Sequence, residues 1–107
     1  SKEREQLRRA IHIVGESLAA PPLLAELGMQ VGLSTNRLNR LFKLSVGLTY
    51  AQYVLELRMR KAHDLLRTGD FTITEISHML GYDYAGNFSA AFRRFFGVSP
   101  KSYKQHL

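Results

Sequence analysis

Residues 72–100 read TITEISHMLGYDYAGNFSAAFRRFFGVSP. Ile73, Ile76 and Leu80 recur at helical spacing up to Gly81, and Phe88, Ala91 and Phe92 recur in the same way up to Gly97. Thr72 with Glu75 forms a capping box, in which hydroxyl and carboxylate each take a free backbone donor at a helix start. The stretch therefore predicts two short helices joined at a tight glycine turn, the helix-turn-helix arrangement. The same pattern stands once before. Leu24, Glu26, Leu27, Val31, Gly32, Leu33 and Ser34 precede Ile73, Glu75, Ile76, Leu80, Gly81, Tyr82 and Asp83 by 49 residues. Beyond that the interval is 50, pairing Leu38 with Phe88, Phe42 with Phe92, Lys43 with Arg93, Gly47 with Gly97, and Tyr53 with Tyr103. One residue is inserted just after the second capping position, which makes Asp83 the expected cap of the later helix.

Outward from these units the pattern stays helical. Leu7, Ala10, Ile11, Val14 and Leu18 mark a first helix from about residue 3 to 18. A second starts at Pro21-Pro22 and stops at Gly32. Ser34 caps a third, from Thr35 to about Leu44. A long fourth runs from Tyr50 to about Arg67, the fifth and sixth are those quoted above, and Ser99-Pro100 opens a short seventh. No segment alternates with period two. The expected fold is all-α: seven helices in two helix-turn-helix subdomains, about 3–48 and 72–105, joined by a connecting helix of about 50–67. Each recognition helix is expected to bury Leu38, Leu41 and Phe42, or Phe88, Ala91 and Phe92, and to turn its other side outward.

Charge narrows the partner. Fifteen Lys and Arg face nine Asp and Glu among 107 residues, a net +6 with an isoelectric point near 10.0. A compact basic domain attracts polyanions, nucleic acid before anionic membrane. With no Cys, disulfides and thiolate metal sites are excluded. No stretch of about 18 uncharged apolar residues is present to cross a membrane. Ser1-Lys2-Glu3-Arg4 lacks an initiator Met and a signal-peptide pattern, so the start is expected to be the cut edge of a longer protein.

The second unit, through Ile73-Thr74-Glu75-Ile76, Gly81-Tyr82, Asn87-Phe88-Ser89, Ala91-Phe92-Arg93-Arg94, Phe96-Gly97, Ser99-Pro100 and Tyr103, resembles the signature region of the AraC/XylS family of bacterial transcription regulators. The first unit shares Gly32-Leu33-Ser34, Leu38, Arg40-Leu41-Phe42-Lys43 and Gly47. The connecting helix shares Tyr53-Val54, Arg58-Met59, Ala62 and Leu65-Leu66, so the resemblance covers roughly residues 5–105. It implies a DNA-binding domain that regulates, and activates, transcription in the bacterial cytoplasm. It also implies contact with RNA polymerase and an effector or oligomerisation domain outside this chain. The connecting helix spans about 27 Å, which with the flanking helix widths fits two recognition helices set about 34 Å apart, one DNA turn. The partner expected is double-stranded DNA, bound by a monomer, with no membrane, cofactor or metal.

Arg reads guanine through O6 and N7, and Asn reads adenine through N6 and N7. The resemblance implies base contacts from Asn36, Asn39 and Arg40 and a phosphate contact from Lys43, and Arg37, a polar position of the same helix, is expected to contact bases with them. On the sixth helix Ala90 stands where family members often carry Arg, and Ala85 and Gly86 where they carry larger polar groups. The second unit is thus expected to position the protein on phosphates through Tyr84, Ser89, Arg93 and Arg94, with limited base reading by Asn87. Arg58 falls within the apolar arc of its helix, and a structural ion pair with Glu26 or Glu75 is favoured there over DNA contact.

Two rival classes remain. An enzyme has little support, because His12, His63, His78 and His106 are scattered and no nucleophile or phosphate-loop motif accompanies them. A helix-binding interaction module would use aromatics such as Phe95 and Phe96, but most of the aromatics fall at core spacing.

Overall fold

A computed structural model describes all 107 residues as seven α-helices without a strand: α1 (Lys2–Gly15), α2 (Leu24–Val31), α3 (Thr35–Val46), α4 (Tyr50–Thr68), α5 (Ile73–Met79), α6 (Ala85–Phe96) and α7 (Pro100–Gln105). The chain forms two compact units, Ser1–Leu57 and Arg58–Leu107, each with its own apolar core, and the division falls inside α4.

In the first unit Leu7, Ala10 and Val14 of α1 meet Leu27 and Val31 of α2, Leu38 and Phe42 of α3, and Val54 of α4. The Phe42 ring is fully buried and flanked by Tyr50 at 5.6 Å and Tyr53 at 5.3 Å. In the second unit Met59, Ala62, Leu65 and Leu66 of α4 meet Ile76, Leu80, Phe88, Ala91 and Phe92. Tyr103 lies 6.0 Å from Phe92, so the sequence pairing of Tyr53 with Tyr103 is repeated as a ring contact in each core. Leu41 is half-buried, at the edge of the core rather than within it.

Both turns use a left-handed glycine, Gly32 at φ 81° and Gly81 at φ 87°, a conformation that costs other residues a Cβ clash. A second glycine matters for a different reason. Leu33 N donates to Gly28 O at 2.9 Å, and a Cβ on Gly28 would stand 2.4 Å from the Leu33 carbonyl oxygen. The other unit carries buried Ser77 at this position, with Tyr82 N donating to its carbonyl at 3.0 Å. Gly28→Ala should therefore overpack one turn and not the other. Steric strain of about 1–3 kcal/mol, offset by roughly 1 kcal/mol of helix propensity, predicts a net loss near 1 kcal/mol in urea unfolding. A gain in stability would show that the turn relaxes freely.

Several ends differ from the sequence expectation. Tyr84, not Asp83, is the N-cap of α6. A tyrosine has no short acceptor to offer, and Asn87 N donates instead to the Tyr84 carbonyl at 3.1 Å. The interval of 50 therefore already holds at the cap, where Tyr84 matches Ser34. The first helix stops at Gly15 instead of about residue 18, because Ser17 Oγ donates back to Ile13 O at 2.6 Å and Ser17 N to Val14 O at 3.1 Å. The second begins at Leu24, past both prolines, and Tyr50 OH donates to the Pro22 carbonyl at 2.6 Å. Phe95 and Phe96 are 42% and 36% exposed; they close the last turn of α6, with Phe96 tilted against Phe92 at 4.6 Å and Phe95 edge-on to Phe96 at 4.9 Å.

Candidate nucleic-acid interface

Helix α3 owes its position to two devices. Ser34 Oγ accepts from Arg37 N at 3.2 Å, capping the N-terminus, and Leu38 and Phe42, one turn apart, anchor one side in the core. At 100° per residue the opposite side then carries Asn36, Arg40 and Lys43, at i, i+4 and i+7. Asn39 and Arg37 lie on the two flanks. All five are exposed, and no carboxylate stands anywhere on α3. Every formal charge on the helix is therefore positive, and its N-terminus adds a partial positive charge from the backbone dipoles.

Arg37 has a partner at the protein surface. Its Nε donates to Glu3 Oε2 and its Nη2 to Glu3 Oε1, the latter at 2.7 Å, a two-point grip between the first turns of α1 and α3. Hydrogen bonding from Arg37, then the charges of Arg37 and Arg40, outweigh the opposing effect of burial and hold the Glu3 carboxyl below the usual carboxylate range. Gln6 ties α1 to the turn itself, its buried Nε2 donating to Val31 O at 3.0 Å and Gly32 O at 3.2 Å. Neither Glu3 nor Gln6 was expected from the sequence. Their contacts join residues 25 to 34 positions apart, which no local pattern reveals.

The outward row of α6, one interval of 50 later, is Gly86, Ala90 and Arg93, all exposed. Two of its three positions carry no reading group. Asn87 and Arg94 are exposed on one flank, Ser89 is half-buried on the other, and Tyr84 at the cap is 71% exposed. Ser89, Ala90, Arg93, Arg94, Gly97 and Ser99 line an open concavity of about 580 Å³. It offers two guanidinium groups and two hydroxyls, a donor set suited to phosphate oxygens. Ser99 itself caps α7, accepting from Ser102 N at 3.1 Å.

Arg58 lays its guanidinium over the Tyr82 ring, 5.4 Å from the centroid, a cation–π contact that suits a charge in an apolar arc. Glu75, one of its expected partners, is engaged in the capping box: its Oε1 accepts from Thr72 N at 2.9 Å, while Thr72 Oγ1 accepts from Glu75 N at 3.0 Å. His63 Nε2 meets Tyr103 OH and so belongs to the aromatic packing of the second unit. No helix is long and apolar enough to cross a membrane.

A family profile described as a helix-turn-helix domain matches residues 27–106. A crystal structure of a Chromobacterium violaceum transcriptional regulator, described as of the AraC-type DNA-binding-domain-containing proteins, has the same fold. Its TM-score is 0.87 at 27% identity, over 96% of this chain and 92% of that one. The chain belongs to the AraC family of helix-turn-helix transcription regulators. Within the family, the HTH-type transcriptional activator RhaS of Salmonella arizonae is 41% identical over 76 residues, 71% of this chain and 27% of that protein. The DNA-binding domain of AdpA, solved in complex with a target DNA, shares the fold with a TM-score of 0.85 at 24% identity, over 94% of this chain and 90% of that one. The chain spans about a third or less of the length of the curated relatives it matches. Its AraC-family relatives are transcription regulators and not enzymes.

Proposed function

We propose that this AraC-family domain binds double-stranded DNA sequence-specifically as a monomer, with α3 and α6 entering successive major grooves, and that the two units divide the work. The observation that carries this is the contrast between the outward rows, Asn36-Arg40-Lys43 on α3 and Gly86-Ala90-Arg93 on α6. Arg40 reads guanine, and Asn36 and Asn39 read adenine. Arg37 reaches a base at the edge of the site, and Lys43 takes a phosphate. The second unit fixes register through Tyr84, Ser89, Arg93 and Arg94 on phosphates, with Asn87 its one base reader. Subdomains of about 3–48 and 72–105, with the connecting helix of about 50–67 between them, are the working units. An effector or oligomerisation domain lies elsewhere in the protein, which acts as an activator in the bacterial cytoplasm and contacts RNA polymerase. Support for activation comes from the name of the relative RhaS, and support for DNA from the AdpA complex.

Fluorescence anisotropy on a random-sequence duplex across a salt series tests the division. Affinity should fall linearly on a log–log plot, and Arg93→Ala and Arg94→Ala should each flatten the slope by about 0.9. Salt-insensitive binding, or slopes unchanged in both variants, would remove the second unit from the phosphate backbone.

A further inference from the structure

The Arg37 fork, the part of the side chain that matches a guanine edge or a phosphate, faces the Glu3 carboxylate in the free protein. The pair is exposed, with side-chain accessibilities of 38% for Glu3 and 47% for Arg37, so it contributes little to holding the fold. It nevertheless sits at the N-terminal turn of α3, the part of a recognition helix that meets base edges. A carboxylate there repels phosphate oxygens and base acceptors, and it withholds one of the cations on α3. We infer that Glu3 competes with DNA for Arg37 and so limits how tightly the domain binds duplex. The inference rests on α3 being a DNA-reading helix. Freed from Glu3, Arg37 reaches phosphates on any duplex and, on a cognate duplex, the base at the edge of the site. Kept on Glu3, it must first give up the carboxylate, so every duplex that takes Arg37 does so against the pair.

The test is Glu3→Gln, which keeps length and shape and removes the charge, in wild-type and Arg37→Ala backgrounds. Each of the four proteins is titrated against a random duplex and against a duplex enriched by selection, at several salt concentrations. Glu3→Gln should bind random duplex about three- to tenfold more tightly, with a salt slope steeper by about 0.9, the signature of one additional phosphate contact. The selected duplex should gain by at least as much, because Arg37 has to leave Glu3 for its base there too. The melting temperature should stay unchanged, and Arg37→Ala should abolish the gain. Equal gains with and without Arg37 would reduce Glu3 to a general charge effect and overturn the inference. Weaker binding by Glu3→Gln would make Glu3 an orienting group for Arg37, and also overturn it. If wild type binds neither duplex, the DNA-reading role of α3 fails instead.

Discussion

Phe42→Ala is expected to remove about 3–5 kcal/mol from the stability of the first unit, the usual cost of deleting a fully buried phenyl ring. The ring is the inward anchor of α3 and packs against both Tyr50 and Tyr53, so no single neighbour can collapse into the space. Whole domains are stable by only about 5–15 kcal/mol, and a unit of this size is at the weak end. Urea unfolding should show the early loss of one transition, and duplex binding should go with it because α3 loses its support. Leu44→Ala, two residues on and 72% exposed, should stay within about 0.5 kcal/mol. A Phe42→Ala loss below about 1 kcal/mol would mean that the ring is not the anchor its burial implies.

Arg40→Ala should cost about 1–3 kcal/mol, roughly 5- to 150-fold, on the cognate duplex and far less on random DNA. Arg40 stands at the centre of the outward row of α3, one turn after Asn36 and just before Lys43 on the same face. Its counterpart on α6 is Ala90, where truncation has in effect already been made. Competition binding with duplexes varied one base pair at a time should show relaxed preference at one position only. Equal losses on cognate and random duplexes would instead make Arg40 a phosphate contact.

The helices were legible because their signals are local. Capping residues, turn glycines and apolar spacing act within one or two turns, and the repeat supplied each signal twice. Where one copy departed from the other, the expectation slipped by a residue. Asp83 looks like a cap by composition, yet the backbone selects Tyr84, the position matching Ser34. The outward row of α3 was equally readable, since Leu38 and Phe42 define the inward side and leave the rest to solvent. What sequence could not show is which outward groups are already engaged. Arg37 reads as a free base-reader until Glu3, 34 residues away, is seen holding its fork. The placement of half-buried Arg58 over the Tyr82 ring was hidden in the same way, because the two residues stand 24 positions apart. The need for Gly28 came from a carbonyl in the turn that follows, a contact that apolar spacing and capping signals do not mark.

The most direct test of the DNA-reading account is selection of binders from a random duplex library, repeated at two salt concentrations. The account predicts enrichment of a strongly conserved block, read by α3, with a weakly conserved block about 10 base pairs away where α6 mainly holds phosphate. Two equally conserved blocks would contradict the division between the units, and no enrichment at either salt concentration would contradict sequence-specific DNA binding itself.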